Sequence, residues 1–309
     1  MTATGLVRVH AYHHLTPFDR EPPPRPGVFF DPADTEVGIW TTIDLVEPGS
    51  TVLDLGSGSG AAASAVARAG AAHVHGLDVS VDSVGWASER YGLDEADRKV
   101  TFGLADYTLL SASQLLDATP LGRAPDVVAS NPPYVPVPPR AGQDRVSIDG
   151  GTDGLRLVRV VVRHAAEMGS ALGLTIGSYT SVRTAASLLA DHGYTVASLT
   201  VSALRLGAYT QQHAERVLEL ESTGEGPLLR TDDGTVYYII VGLSCRRSSS
   251  EGPAAAPSHR LSPEALWQLL TFACRSKTTT LETLDASTFE CPVPVRVLVL
   301  PDEPRRHHS

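Results

Sequence analysis

A four-residue segment, Asn131-Pro132-Pro133-Tyr134, contains the residue types best suited to a chemical step. The Asn131 side-chain oxygen and the Pro132 carbonyl are acceptors that can hold the hydrogens of a planar nitrogen, as in an amide or a guanidinium. The prolines restrict the backbone and keep the acceptors in place, and the Tyr134 ring can stack on the planar group. Such a site would aim the nitrogen's delocalised lone pair at an electrophile, and catalysis would come from positioning and charge stabilisation. A Pro-Pro turn after a strand is the alternative interpretation.

A glycine-rich turn lies upstream of this segment, between a short apolar strand and an alanine-rich helix. Gly56, Gly58 and Gly60 alternate with serines, and Asp54 precedes them. Glycines allow a sharp turn and a close approach of the backbone to a ligand, while the helix N-terminus offers free N–H groups. Dinucleotide enzymes place G-x-G-x-x-G here. The G-x-G-x-G spacing after an aspartate is more typical of sites for S-adenosylmethionine.

Two further acids stand where predicted strands end. Asp78 ends the strand after the glycine turn, and Asp106 follows the next one. A carboxylate at the first position can accept the ribose hydroxyls of an adenosyl group, and one at the second can meet the adenine amino group. The combination favours an adenosyl site. A nicotinamide or flavin site, or a tight turn with no ligand, remains the alternative.

The elements around these residues alternate between strand and helix. Asp34-Thr35 is predicted to cap a helix that runs to about Glu47. Further helices are predicted at 80–91, 153–168 and 181–191, and strands at 51–55, 73–78, 100–104, 126–130, 171–178, 194–204 and 235–244. This alternation predicts a doubly wound, mostly parallel α/β sheet. Residues 246–260 are typical of a linker, after which Ser262-Pro263-Glu264 begins a helix and residues 295–300 could form one more strand.

Composition narrows the function classes. The formal net charge of −10 disfavours a large nucleic-acid footprint and suits neutral or cationic substrates. The three cysteines have no Cys-x-x-Cys spacing, so neither a disulfide framework nor a structural zinc site is predicted. His10, His13 and His14 could bind a metal, but we interpret them as surface or cleft residues and predict no metal site. With no signal segment and no apolar run long enough for a membrane, a cytoplasmic protein is expected.

The motifs together resemble a known family, the Rossmann-like S-adenosylmethionine-dependent methyltransferases that modify planar nitrogens, and within it the HemK/PrmC protein-glutamine methyltransferases. Residues 28–35 resemble the segment that opens that catalytic domain, and residues 149–155 its Gly-Gly-x-x-Gly stretch. The resemblance spans about residues 28–245. It implies a seven-stranded methyltransferase sheet with S-adenosylmethionine as cofactor. The implied cofactor contacts are Asp54, Gly56, Gly58, Gly60, Asp78, Asp106 and Asn131, and the implied catalytic residues are Asn131, Pro132 and Tyr134.

The departures from that family concern the substrate. Residues 1–27, expected to be irregular and able to cover the cleft, are too short for the family's helical substrate domain, and residues 246–309 form an added C-terminal extension. We therefore expect N-methylation of a small molecule, such as arginine or a natural-product intermediate. Protein-glutamine methylation is the alternative; nucleic-acid methylation, a nicotinamide-dependent oxidoreductase and an inactive adenosyl-binding scaffold rank lower. Candidate substrate contacts are Phe29, Phe30, Asp31, Tyr134, Asp149 and Asp153.

Overall fold

The structure, a computed structural model, describes residues 6–25, 27–92, 99–139, 149–231, 234–248, 261–275 and 291–301. The strands are β1 Leu6–Val9, β2 Thr51–Leu55, β3 His73–Asp78, β4 Val100–Leu104, β5 Val127–Ser130, β6 Ala171–Gly177, β7 Tyr194–Arg205, β8 Leu229–Arg230, β9 Val236–Arg247 and β10 Val295–Leu298. The helices are α1 Pro32–Ile43, α2 Ala61–Arg68, α3 Val81–Tyr91, α4 Ala112–Asp117, α5 Arg156–Met168, α6 Val182–Asp191, α7 Ala208–Gln212, α8 Ala214–Ser222 and α9 Pro263–Arg275.

The strands form one sheet in the order β1-β10-β7-β9-β6-β5-β2-β3-β4, with β8 paired to β9. Neighbouring strands are parallel except where β9 runs antiparallel to β6, β7 and β8. A run of seven strands, from β4 to β7, is the predicted Rossmann-like, mostly parallel sheet, and this fold class is confirmed. The additional edge consists of β10 and β1, which continue parallel to β7.

Helices cover both faces of the sheet, as expected when parallel strands are buried on both sides. Helices α1 and α2 pack on one face through alanines and the fully buried Ile39. The apolar sides of α5, α6 and α9 pack on the other, where Val161, Ala185 and Leu270 are almost completely buried. The carboxyl ends of the parallel strands are left free for a site.

Two local predictions at the N-terminal side of the chain were wrong. Strand β1 lies in the segment that was expected to be irregular, because Leu6–Val9 finds a parallel partner in β10. Helix α1 begins at Pro32 and is capped by Asp31, whose Oδ1 accepts the N–H groups of Ala33 and Asp34 at 3.1 and 3.2 Å. The predicted cap at Asp34-Thr35 lies about one turn downstream of the observed helix start. Proline is favoured at the first helical position because its missing N–H needs no acceptor there.

The C-terminal predictions were closer. Helix α9 begins at Pro263 after Ser262, whose Oγ accepts the Ala265 N–H at 3.1 Å. The predicted final strand exists as β10 and is integrated into the sheet. Most of the predicted linker 246–260, and Arg140 in the proline-rich loop, lie outside the described residues. Helix α4, between β4 and β5, and helices α7 and α8, between β7 and β9, were not predicted.

The N-terminal segment after β1 is held against α1 by a buried glutamate. Glu36 is completely buried, and its carboxylate accepts the N–H groups of three consecutive residues. His13 and His14 donate to Oε1 at 2.9 and 3.0 Å, and Leu15 donates to Oε2 at 3.0 Å. The buried Leu15 side chain joins the core under α1. This segment is therefore part of the fold rather than a free tail.

Candidate functional site

The glycine turn connects β2 to α2 with three glycines in the left-handed region. Gly56, Gly58 and Gly60 have φ of 81°, 53° and 80°. At Gly60 a Cβ would lie 2.7 Å from the Cβ of Ala87 and 2.8 Å from the Phe102 ring, so packing as well as conformation requires glycine. At Gly56 a Cβ would meet nothing within 4 Å, which leaves open space beside the turn.

Asp78, at the end of β3, faces this turn. Its Oδ2 accepts the Gly58 N–H at 2.9 Å, and its Oδ1 accepts the Ser80 N–H at 2.8 Å. Burial raises the pKa of this carboxyl, although the backbone N–H groups act in the opposite direction. The structure thus brings Asp78 and the glycine turn into direct contact, at the edge of the sheet where doubly wound folds bind ligands.

Asp54 is a buried carboxylate with an unsatisfied oxygen. It lies in β2, and its Oδ2 has no hydrogen-bond partner among the described residues. Burial, reinforced by the negative charge of Asp78, raises the pKa of Asp54 to about 7. A buried polar atom without a partner is costly. Asp54 is therefore suited to a ligand that supplies a positive charge or a donor.

A pocket joins the glycine turn to the candidate catalytic segment. Besides Asp54 and Asn131, its wall includes the N-terminal residue Phe29, residues of α1 and β5, and the start of α2. The lining residues are Phe29, Thr35, Gly38, Thr42, Val52, Asp54, Gly56, Ser57, Gly58, Ser59, Ala62, Ala63, Val66, Val74, Ala129, Ser130 and Asn131. Two motifs that were predicted separately, the glycine turn with its preceding Asp54 and the segment that begins at Asn131, thus share one concave surface.

Asp106 follows β4 and is partly exposed. Its Oδ1 accepts both the N–H and the hydroxyl of Thr108, at 2.9 and 2.6 Å. Tyr107, which lies between Asp106 and Thr108, is contacted by His164 of α5: the His164 Nε2 lies 2.9 Å from the Tyr107 carbonyl oxygen. His164 was not identified from the sequence, where it is one more residue on the buried face of α5. Asp106 does not line the pocket described above.

Asn131 follows β5 directly, and Pro132 behind it is buried. The Asn131 Oδ1 accepts a hydrogen bond from the hydroxyl of Thr175 in β6. The preceding Ser130 donates its hydroxyl to the Leu55 carbonyl at 2.6 Å, which ties this segment to the start of the glycine turn. Asn131 is thereby fixed from two neighbouring strands while one side faces the pocket.

The Tyr134 ring, which was expected to stack on the planar group of a substrate, is buried in the protein. Its side chain is 6% exposed, and its hydroxyl donates to Asp34 Oδ2 at 2.7 Å. The ring lies in a cluster with Tyr179 and Tyr238, at centroid distances of 5.9 and 6.5 Å. Burial, then the charge of Asp34, raises the pKa of Tyr134 well above its usual value. The ring packs in the core because the hydroxyl finds its partner on α1.

The candidate substrate carboxylates are all engaged within the chain. Asp31 caps α1, as described above. Asp149 is buried and accepts the Gly151 N–H at 2.7 Å, with Arg156 at 3.6 Å. Asp153 accepts the Leu155 N–H at 3.0 Å and binds Arg159 at 3.1 Å; burial alone would raise its pKa, but these partners lower it. Asp31 thus stabilises the start of α1, and Asp149 and Asp153 stabilise the loop before α5.

Of the two phenylalanines that were candidate substrate contacts, Phe29 lines the pocket and Phe30 does not. The N-terminal histidines lie elsewhere: His13 and His14 pack against Trp40 at centroid distances of 5.8 and 4.3 Å. Among the described residues no group of three or more His, Cys, Asp or Glu side chains could hold a metal ion.

Several residues around the site could not be identified from sequence. Tyr134 is contacted by Asp34 of α1, by Tyr179 in the loop after β6 and by Tyr238 of β9, and Asn131 is contacted by Thr175 of β6. These contacts join residues that are far apart in the sequence, so no local spacing indicates them. In the described parts of the chain, no helix is both long and apolar enough to span a membrane.

Comparison with known proteins gave one family match. Residues 52–119 match the model of a family described as a methyltransferase domain. This segment includes the glycine turn, Asp78 and Asp106. No curated protein matches the chain.

Similar solved structures are distant. A proposed RNA methyltransferase of Pyrococcus horikoshii is 15% identical, with 74% of this chain and 91% of that chain covered and a TM-score of 0.47. The ribosomal protein L11 methylase of Lactobacillus delbrueckii subsp. bulgaricus is 15% identical, with 72% and 82% covered and a TM-score of 0.42. A geranyl diphosphate methyltransferase in complex with S-adenosylmethionine is 14% identical, with 69% and 84% covered and a TM-score of 0.41. At these scores the similarities support no assignment of substrate.

The sheet, the glycine turn and the family match define the class of protein. It is an S-adenosylmethionine-dependent methyltransferase, and S-adenosylmethionine is its cofactor. The residues present fit that cofactor, since the pocket offers a buried carboxylate oxygen without a partner and a turn beside open space.

Proposed function

We propose that this methyltransferase transfers methyl to a planar nitrogen, a guanidinium or an amide, of a small molecule such as arginine or a natural-product intermediate. The observation that carries the proposal is the position of Asn131, which lines the same pocket as Asp54 and the glycine turn. A side-chain amide oxygen next to the cofactor site can accept an N–H of the methyl acceptor, and the Pro132 carbonyl can accept the other.

Within this proposal the cofactor is held by the turn and its acids. Gly56, Gly58 and Gly60 would allow the cofactor to approach the backbone of the turn closely. Asp78 and Asp106 would contact its adenosyl group. Asp54 would face a positive group of the cofactor, because its carboxylate is buried beside the pocket and its Oδ2 has no donor among the described residues. The cofactor supplies an electrophilic methyl on a sulfonium; the chain's own residues orient the nitrogen and exclude water.

The protein-glutamine alternative, the HemK/PrmC type, is supported by the loop after the Asn-Pro-Pro-Tyr segment. Val135 forms a parallel bridge to Asp149, and the Gly150 N–H donates to the Val135 carbonyl at 2.9 Å, so the segment and the Gly-Gly stretch are one unit. That unit fits the resemblance to the family but is compatible with any acceptor amide. The net charge of −10 weighs against a nucleic-acid acceptor.

A methyl-transfer screen tests the proposal. Purified protein is incubated with S-adenosylmethionine labelled with tritium in the methyl group, and with free arginine, free glutamine, a release-factor protein or oligonucleotides. Label on arginine or glutamine supports the small-molecule assignment. Label on the release factor alone favours the protein-glutamine alternative, and label on oligonucleotides alone contradicts both.

The role of Asn131 is tested by Asn131→Ala, with the acceptor that takes label in the screen. Loss of its acceptor oxygen should lower kcat by a factor on the order of a hundred or more, since a misplaced nucleophile loses most of the benefit of positioning. Affinity for S-adenosylmethionine, measured by calorimetry, should stay within a few-fold. A variant with a near-normal rate would exclude the mechanism.

A further inference from the structure

Asn131, the residue that directly follows β5, and Thr175 of the parallel strand β6 occupy equivalent positions along the two strands. Strands β5 and β6 pair with Ser130 opposite Leu174, so Asn131 and Thr175 come next in the same register. Side chains at the same register of adjacent strands lie on the same face of the sheet. The Thr175 methyl group lies toward α1, where a Cβ on Gly38 would be 3.8 Å away. The pair is therefore built by the sheet itself rather than by a flexible loop.

The hydrogen bond between them has a defined direction. An amide oxygen carries no hydrogen, so the Thr175 hydroxyl donates and the Asn131 Oδ1 accepts. The Thr175 side chain is completely buried. Among the described residues, its hydroxyl donates to the Asn131 Oδ1. Rotating the carboxamide by half a turn would place NH₂ against this hydroxyl and leave its buried hydrogen without an acceptor.

We propose that Thr175 is a positioning residue for methyl transfer, one that fixes which end of the Asn131 carboxamide faces the acceptor nitrogen. An amide oxygen can accept two hydrogen bonds. Thr175 uses one of them and leaves the other for an N–H of the methyl acceptor. The inference rests on the proposed role of Asn131, and it adds a residue that acts through Asn131 without touching substrate.

The chain offers a direct probe of this arrangement, because Asn131 is its only asparagine. Labelling asparagine side chains with ¹⁵N gives one carboxamide signal with two proton resonances. In Thr175→Val, a variant of similar shape without a hydroxyl, the two resonances should shift, and faster rotation of the amide should broaden them. Thr175→Ser keeps the donor and should retain the signal of the unaltered protein.

Rate measurements follow the same pair of variants. With the acceptor identified by the screen, Thr175→Val should lower kcat on the order of tenfold to a hundredfold, while the KM for S-adenosylmethionine stays within a few-fold. Thr175→Ser should recover most of the rate. In an Asn131→Ala background the valine substitution should add nothing, because the residue it positions is already absent.

Thr200→Val is the matched control. Thr200 is also fully buried in a strand of this sheet, β7, and its hydroxyl accepts from Arg296 at 3.1 Å, away from the pocket. It should lower the midpoint of thermal unfolding without altering kcat or the carboxamide signal. A kcat loss equal to that of Thr175→Val would show that lost stability, and not positioning, explains both.

The outcomes separate this inference from the proposed function. An unchanged carboxamide signal in Thr175→Val overturns the inference, whether or not an acceptor has been found. A changed signal with unchanged kcat also overturns it, while an inactive Asn131→Ala variant would leave the proposed function standing. If Asn131→Ala keeps its rate, the proposed function fails, and the positioning role for methyl transfer fails with it.

Discussion

Asp54 is a residue whose ionisation opposes folding in the absence of a ligand. Burial and the nearby charge of Asp78 raise its pKa from 3.8 to about 7. Between these values the folded protein binds more protons than the unfolded chain, so its free energy of unfolding falls as pH rises. A ligand with a positive group would reverse the penalty by stabilising the ionised carboxylate.

The first prediction follows from that sign. In the unaltered protein the free energy of unfolding should fall by up to about 4 kcal/mol between pH 4 and pH 8, because Asp54 ionises in this range. The variant Asp54→Asn cannot ionise at this position and should not show this decline. The measurement is urea unfolding of both proteins, free of ligand, across this range. The two proteins should differ most in slope between pH 5 and pH 7.

A carboxyl of opposite behaviour provides the control. At Asp126 burial raises the pKa, but the Thr51 N–H and Arg123 outweigh it, and the pKa is lowered. Its contribution to stability is present above its ordinary pKa and is lost as pH falls. Asp126→Asn should therefore leave the decline toward pH 8 unchanged, and parallel slopes for Asp54→Asn and the unaltered protein would contradict the assignment.

At this scale the sequence located the residues around the pocket better than it described their contacts. Asp54, Asp78 and Asn131 could be singled out because each follows a local rule about strand ends and glycine turns. Their contacts could not, because Thr175 and Asp34 are ordinary residues until the sheet places them beside Asn131 and Tyr134. For Asp149 and Asp153 the sequence did not reveal that Arg156 and Arg159 contact them.

Helix α1 forms part of the pocket wall, and the segment after β1 is bound to this helix. The helix contributes Thr35, Gly38 and Thr42 to that wall. Its opposite side holds residues 13–15 through Glu36. A change in the docking of the N-terminal segment should therefore be felt in the stability of α1.

The second prediction concerns that docking. Glu36→Gln places an NH₂ group against backbone donors and should lower the free energy of unfolding by about 2 kcal/mol, as expected for buried hydrogen bonds to a charged acceptor. Urea unfolding measures the loss. Trypsin cleavage after Arg20 should become faster as the segment loosens.

Glu47→Gln is the matched control, since Glu47 follows the same helix. Its side chain is 72% exposed and lies 3.5 Å from Arg246. Exposed ion pairs contribute little, so stability and the cleavage rate should hardly change. Equal effects of the two substitutions would show that Glu36 does not hold the segment.

Among the elements, the sequence predicted those with regular periodicity and missed those defined by their partners. The alternation between β2 and α6 was clear, because each strand is apolar and most of the helices are amphipathic, but the short helix α4, Ala112–Asp117, was missed. Strand β1 has only the residues Leu6–Val9, and such a short run is a strand only because β10 lies beside it. Helices α7 and α8 are short, at Ala208–Gln212 and Ala214–Ser222, and the first gives no clear helical period.

In the molecule as a whole, the C-terminal strand β10 is tied to the end of helix α1. Arg296 binds both oxygens of Asp44 at 3.0 Å, and its guanidinium lies 4.0 Å from the centre of the Trp40 ring. These contacts join β10 to the end of α1. We therefore expect the additional edge of the sheet to unfold together with the rest.

The third prediction tests that cooperativity. Val297 is completely buried in β10, so Val297→Thr adds a hydroxyl to an apolar position and should cost about 1–3 kcal/mol. Val7→Thr, in the neighbouring strand but 56% exposed, should change stability by less than about 0.5 kcal/mol.

Urea unfolding followed by circular dichroism and by tryptophan fluorescence provides the measurement. Both signals should give one transition at the same midpoint in each variant, and S-adenosylmethionine should raise that midpoint. A separate early transition in Val297→Thr would show that β10 unfolds independently of the domain.

Strands β1 and β10 also constrain the order in which the sheet can be assembled. Leu6 pairs with Val295, and these partners are 289 positions apart in the chain (295 minus 6). Contacts between distant segments form slowly, because the entropy of closing the intervening loop is lost before the contact gives anything in return. During synthesis β1 leaves the ribosome long before β10 exists. The seven-stranded part of the sheet can therefore form while β1 has no strand to pair with, and completion of this edge should be a late step of folding.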